Sequence, residues 1–290
     1  MSLFRSILIL SACVLAHACA TSAQPRASAP DVYTKLRADV AYRQIVTPAP
    51  NPRVTQVIEL DLSRGTLALR LTPGDTSGGK EYVSLTTSSY TRRSGALIGV
   101  NAGFFGPVVS TEGVAMDAAG FVIANGQITS PPLAPAQDSA VVKAVVCFEL
   151  RHVFIDDAKA CPSQYKEGLA AGPRLLRDGV VAADVTNQTR HPRTALGVSA
   201  QGNKVWIVVT DGRQAGYSEG ATFGEMADLL AGLGATNAIN LDGGGSSALV
   251  YADPSTGQRV LNRPIQGGVP GQERPVATHI GVFPAISGRN

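Results

Sequence analysis

The segment Leu241-Asp242-Gly243-Gly244-Gly245-Ser246-Ser247 joins a carboxylate to three consecutive glycines and two hydroxyls. Such a run lets the backbone take positive φ and come close to a ligand. Successive N–H groups in a turn of this kind form a nest for an anion, and Ser246 and Ser247 add donors, so a phosphate suits the segment chemically. It is not a Walker A loop, because no Gly-Lys-Ser/Thr follows, and not a nucleophile elbow, because the G-x-S-x-G order is absent. Taken alone, the three glycines are equally well read as a tight turn without a ligand. A second acid stands in Thr210-Asp211-Gly212-Arg213. Asp242 and Asp211 can each serve as an acid–base group, order the turn beside it, or bind a divalent cation through oxygen.

Around these acids stand groups suited to an anionic saccharide. Arg193, Arg213 and Arg274 can each grip a phosphate bidentately, which lysine cannot; singly, each is more often a surface ion-pair former. His191 beside them, read alone, is a solvated loop histidine. Asn101-Ala102-Gly103-Phe104-Phe105 follows the apolar run Ala96–Val100, which places an amide and two aromatic rings at a strand end.

The elements that must position these groups are clearest between Lys204 and Leu249. Val205-Trp206-Ile207-Val208-Val209 is a continuous apolar run, the pattern of a strand covered on both faces. Thr222 with Glu225 three residues later is a capping-box pattern. Phe223, Met226, Leu229, Leu230 and Leu233 then line one helical face, which Gly232 or Gly234 can end. Ala238–Leu241 is the next buried strand. The strands of such a unit run parallel, so Asp211 and Asp242 fall at the same sheet edge, where ligands tend to bind. Adjacent strands would set them about 4.8 Å apart, and an intervening strand would double that. Elsewhere Asp31–Ala41 reads as a short helix, Thr55–Leu71 as a hairpin turning near Gly65, and Ser84–Arg93 as a short helix. The expected fold is α+β: one β-rich domain with a mixed sheet and a few packed helices, over residues 54–290 after a lead-in at 24–53.

A formal charge of +3 in 290 residues offers no field for nucleic acid. Met1–Arg5 is a short basic start, Ser6–Ala18 is apolar, and small residues follow to Ala23. This is the layout of a secretory signal peptide over residues 1–23, with a periplasmic or secreted mature chain and no transmembrane span in it. A lipoprotein anchored through Cys13 or Cys19 is the alternative. Cys147 and Cys161 remain as an even pair in an oxidising compartment and read as a disulfide.

Taken together, the segments Val100–Phe105, Ala171-Gly172-Pro173-Arg174-Leu175, His191–Gly197, Thr210–Arg213, Asn240–Ser247 and Arg274-Pro275-Val276 resemble, in order, the phosphodiester glycosidase family. Ala102 stands where that family more usually has Gly. The resemblance implies hydrolysis of a sugar-1-phosphodiester to free sugar and a phosphomonoester, acting on a phosphorylated saccharide or cell-envelope glycan. No cofactor is then required, although a divalent cation can be accommodated. On this reading Arg193, the Gly243, Gly244 and Gly245 backbone and Ser246 hold the phosphate, with Arg213 or Arg274 assisting, and Thr194 and Asn240 are further substrate-binding residues. Asn101 bonds the sugar, Phe104 or Phe105 forms its apolar wall, and Asp242, then Asp211, is the catalytic carboxylate. The competing readings are an ordinary O-glycosidase or phosphatase, and a non-catalytic envelope protein that binds phosphorylated polysaccharide.

Overall fold

A computed structural model describes residues 32–134, 142–183, 185–186 and 188–285. The signal-like segment and both candidate lipidation cysteines lie outside the described residues. The fold is β-rich α+β, with α-helices at Thr87–Ser94 and Phe223–Leu233 among the described residues.

The largest sheet runs Val32–Arg37, Val40–Thr47, Arg53–Asp61, Lys204–Thr210, Arg193–Val198, Asn237–Asn240, Arg174–Arg177, Val180–Val181 in spatial order. Lys204–Thr210 lies in its interior and is covered on both faces, as its apolar run requires. Successive side chains of a strand point to opposite sides, so Val205, Ile207 and Val209 join one core while Trp206 and Val208 join another. The Phe223–Leu233 helix covers that second face with Phe223, Met226, Ala227 and Leu230. Its start is the expected capping box: Thr222 Oγ1 accepts from Glu225 N at 3.2 Å, and Thr222 N donates to the Glu225 carboxylate at 2.9 Å. Gly234, at φ 103°, ends it.

The first core is closed by a five-stranded sheet, Gly257–Val260, Leu249–Asp253, Ile98–Asn101, His279–Pro284, Leu67–Leu71. Another five-stranded sheet carries the Ala144–Phe148 strand, and the expected Cys147–Cys161 disulfide ties that strand to the loop after Val153–Asp156. No helix among the described residues is long and apolar enough to cross a membrane.

Three expectations are corrected. Asp31–Ala41 is not a helix: Val32–Arg37 and Val40–Thr47 are paired strands at the edge of the large sheet. Its Val-Tyr-Thr run favours extended backbone, and pairing with remote strands outweighs the weak helical pattern of so short a segment. Thr55–Leu71 is not a hairpin. The chain does turn at Gly65, at φ 64°, but Arg53–Asp61 already has neighbours on both sides. Leu67–Leu71 therefore crosses to the second sheet and pairs with His279–Pro284. Both strands still turn leucines into one core, which is why their alternation looked continuous. The large sheet is also antiparallel at every ladder described, rather than mixed in its pairing. Lys204–Thr210 and Asn237–Asn240 are parallel to each other, but Arg193–Val198 lies between them, antiparallel to both.

Candidate active site

Because of that intervening strand, Asp211 and Asp242 share a sheet edge but stand two strand spacings apart, on the order of 10 Å. Between them the edge presents Arg193, which pairs with Thr210 in the ladder. A cavity of about 380 Å³ opens here. Of the two acids, only Asp242 lines it.

Asp242 is fixed through its backbone. Its N–H donates to Ala102 O at 2.9 Å, and its carbonyl accepts from Asn101 Nδ2 at 2.6 Å. Burial pushes its carboxyl up to about 6, against the opposing pull of Ser246, Arg274 and the Gly243 N–H. Water-poor surroundings disfavour the charged form, and those donors recover part of the loss.

Three guanidiniums line the same cavity. Arg193 donates to Ala221 O at 3.1 Å and to Thr189 O at 2.9 Å, and stacks 4.0 Å from the Phe223 ring centroid. Burial, with Arg213 nearby, lowers its pKa to about 10, so it stays charged at neutral pH. Arg213 places Nε and Nη2 each 3.3 Å from His191 Nδ1. A guanidinium has no acceptor, so Nδ1 must accept and the neutral ring carries its proton on Nε2. Burial first, then Arg213 and Arg193, hold the His191 pKa below its ordinary value. Arg274 donates to Gln266 Oε1 at 2.6 Å and to Ser246 Oγ at 3.4 Å. The hydrogen-bond partners of all three arginines are thus uncharged acceptors, and Asp242 is the one carboxylate among the lining residues.

The glycines matter chiefly for what they let approach. A Cβ on Gly245 would sit 2.5 Å from Arg274 Nη2 and 2.9 Å from Gln266 Oε1. Gly244, at φ 60°, lies under the Arg213 guanidinium. The backbone nest expected from the sequence is largely spent internally: Gly244 N donates to Pro192 O, Ser246 N to Gly243 O and Ser247 N to Gly244 O.

Phe104 and Phe223 supply apolar wall, and Asn240 lies beside them. Asn240 Nδ2 donates to Gly172 O and Leu241 O at 3.1 and 2.6 Å, and its Oδ1 has no partner.

The other candidates lie behind the cavity. Asn101 is fully buried, and its Oδ1 accepts from Thr194 Oγ1 at 2.8 Å and Ala248 N at 3.2 Å. Asn101 and Thr194 therefore clamp the strand ends that carry Asp242 and Arg193. Ser246 is buried under Arg274, and Phe105 packs against the core. Asp211 is 1% exposed, and its carboxylate accepts from Asn262 Nδ2, Arg263 N and Tyr217 Oη at 2.9–3.0 Å. It is placed to latch the 262–263 segment. Asp211→Ala would strand those buried donors and is expected to cost about 3 kcal/mol of stability in urea denaturation. It should leave the pH dependence of turnover in place; a lost pH limb would instead mark Asp211 as an acid–base group.

His191 and Phe223 are site residues that sequence reasoning assigned elsewhere. An isolated loop histidine carries no local signal, and Phe223 fits the helix's core-facing stripe. Among the described residues no group of three or more His, Cys, Asp or Glu is arranged to hold a metal ion.

A profile of the phosphodiester glycosidase family matches residues 94–283. In fold the chain is similar to a Synechocystis protein (TM-score 0.61, 18% identity), covering 89% of this chain and 64% of that one. It is similar, too, to the zebrafish N-acetylglucosamine-1-phosphodiester alpha-N-acetylglucosaminidase catalytic domain auto-inhibited by its pro-peptide (TM-score 0.61, 15% identity, 88% of each chain). A Burkholderia pseudomallei protein shares the fold (TM-score 0.60, 17% identity, 82% of this chain and 75% of that one). At these identities the likeness is one of fold. A search of curated proteins gives no match.

Proposed function

The chain belongs to the phosphodiester glycosidase family, and from that premise we propose that it is an exported hydrolase that cleaves a sugar-1-phosphodiester at the glycosidic carbon. The observation that carries this reading is the ring of three guanidiniums with uncharged partners around one protonatable carboxyl. Arg193, Arg213 and Arg274 hold the phosphate. Asp242, ionised at neutral pH, faces the anomeric carbon, stabilises its developing positive charge and takes a proton from the attacking water. The bond from water oxygen to the anomeric carbon forms as the carbon–oxygen bond to phosphate breaks. The electron pair leaves on the phosphate oxygen, whose charge the arginines already compensate. A phosphomonoester leaves readily, so a second carboxylic acid is dispensable; an ordinary glycosidase pairs two about 5–9.5 Å apart. The His191 Nε2–H adds a donor toward the leaving group.

The reading needs no cofactor, and three cations make the cavity a poor seat for a divalent one. The signal-like N-terminus and the disulfide support export. The natural substrate is then a phosphorylated glycan outside the cytoplasm, such as a cell-envelope polymer.

The test is an assay of the purified chain on a panel of sugar-1-phosphodiesters, with sugar and phosphate followed separately. Free sugar with a phosphomonoester supports the proposal. Inorganic phosphate as the first product would favour a phosphatase, and binding without turnover a carrier of phosphorylated polysaccharide.

A pH prediction follows from Asp242. Its folded pKa lies above the usual carboxylate value, at about 6, and the ionised form is the active one. The ratio kcat/KM should therefore be full above neutrality and fall as pH drops through about 6. His191→Gln should retain that limb. Its disappearance in that variant would transfer the titration to the histidine.

A further inference from the structure

At the opposite ends of the same strands lies a second cavity, of about 460 Å³. Val198 pairs with Asn237 there, while Arg193 begins the same strand at the catalytic edge. Five residues at roughly 3.3 Å each place the two cavities about 16 Å apart. The second one sits where the Val153–Asp156 strand of one sheet meets the large sheet, and Val153 N donating to Gly202 O at 2.8 Å joins the two walls.

Its chemistry differs from that of the first cavity. Asp156, Asp157 and Asp178 face Arg174 and Arg177, so carboxylates outnumber guanidiniums. The polar groups are held in place rather than loose. Arg174, 4% exposed, donates to Leu176 O and Asn237 Oδ1. Arg177 grips Asp157 with Nε and Nη2 at 2.8 and 3.0 Å. Asn237 Nδ2 donates to Asp178 at 3.4 Å. Two stacked rings line the cavity beside this network, His152 and Phe154, 6.4 Å apart between centroids. Gly202 permits the His152 ring its place, since a Cβ there would collide with it.

Planar carboxylates, an amide and guanidiniums beside an aromatic face match the two aspects of a sugar, hydroxyls around the ring edge and C–H groups on its face. The acidic excess disfavours a phosphate. We infer that this cavity is a saccharide-binding site for an uncharged stretch of the same glycan whose phosphodiester is cleaved at the other edge. Naming the glycan as the enzyme's own substrate rests on the function proposed above; the binding site itself does not.

The test uses the full chain with uncharged tetrasaccharides as probes: cellotetraose, maltotetraose, mannotetraose and chitotetraose. Titration by calorimetry and by methyl chemical shifts of Val153 and Val198 reads binding at this cavity. At least one probe should bind, and Phe154→Ala should weaken it by about tenfold. Asp156→Ala, on an exposed side chain with no packing role, should do the same and guards against a folding artefact. Both variants should hydrolyse a short sugar-1-phosphodiester as the wild type does, while KM for a phosphorylated polysaccharide rises. Failure of all four probes to bind overturns the inference, as does binding that both variants leave unchanged. Preferential binding of inorganic phosphate at these methyls overturns the uncharged class. Intact tetrasaccharide binding in a chain that turns over no phosphodiester would sink the proposed activity and leave this site standing.

Discussion

Asp242→Asn is expected to lower kcat by about 10³-fold, roughly 4 kcal/mol of transition-state stabilisation. The amide is nearly isosteric and can still accept from the neighbours that hold the carboxyl, Ser246 and the Gly243 N–H. What it lacks is a basic oxygen for the water proton and a negative charge beside the carbon that becomes cationic. Substrate binding should hold or tighten, because removing the carboxylate removes an anion from beside the phosphate. The expected pattern is therefore a collapse in kcat with KM unchanged or lower, an unchanged circular dichroism spectrum, and loss of the acidic pH limb. Turnover within tenfold of wild type would contradict the assignment.

The second large effect comes from a single methyl group. Gly245→Ala would place a Cβ 2.5 Å from Arg274 Nη2 and 2.7 Å from its Cζ. The obstacle is the far end of a long side chain, so the guanidinium swings aside and folding is little affected. The displaced charge no longer meets the phosphate, and kcat/KM should fall by about 10²-fold, the scale of losing one transition-state donor. Arg274→Ala should lose as much or more. Adding Gly245→Ala to Arg274→Ala should then change nothing further, because both act through the same group. Additive losses in the double variant would show that the Gly245 backbone contacts the substrate directly.

These two cases mark what the sequence carried and what it did not. The Asp242 loop and the three arginines were legible because residue type and order suffice to suggest anion chemistry. The strand Lys204–Thr210 and the helix after Thr222 were legible because their apolar periods and capping residues are local. Asn101 and Asp211 were read as ligand contacts from their positions at strand ends, yet their side chains are turned into protein. Which way a buried polar side chain faces depends on partners 50 or more residues away, here Thr194, Ala248, Asn262 and Arg263. The N-terminal strands and Leu67–Leu71 fail for a related reason. Their pairing partners are remote, so a short window shows propensity without showing the sheet that decides it. The three glycines show the close approach expected of them, with the Arg213 and Arg274 guanidiniums packed over Gly244 and Gly245.

The most direct test of the central claim is hydrolysis of a sugar-1-phosphodiester in ¹⁸O-labelled water, with each product's mass measured. The proposed attack at the anomeric carbon puts the label in the released sugar and leaves the phosphomonoester unlabelled. Label in the phosphate would mean cleavage at phosphorus and would contradict the account.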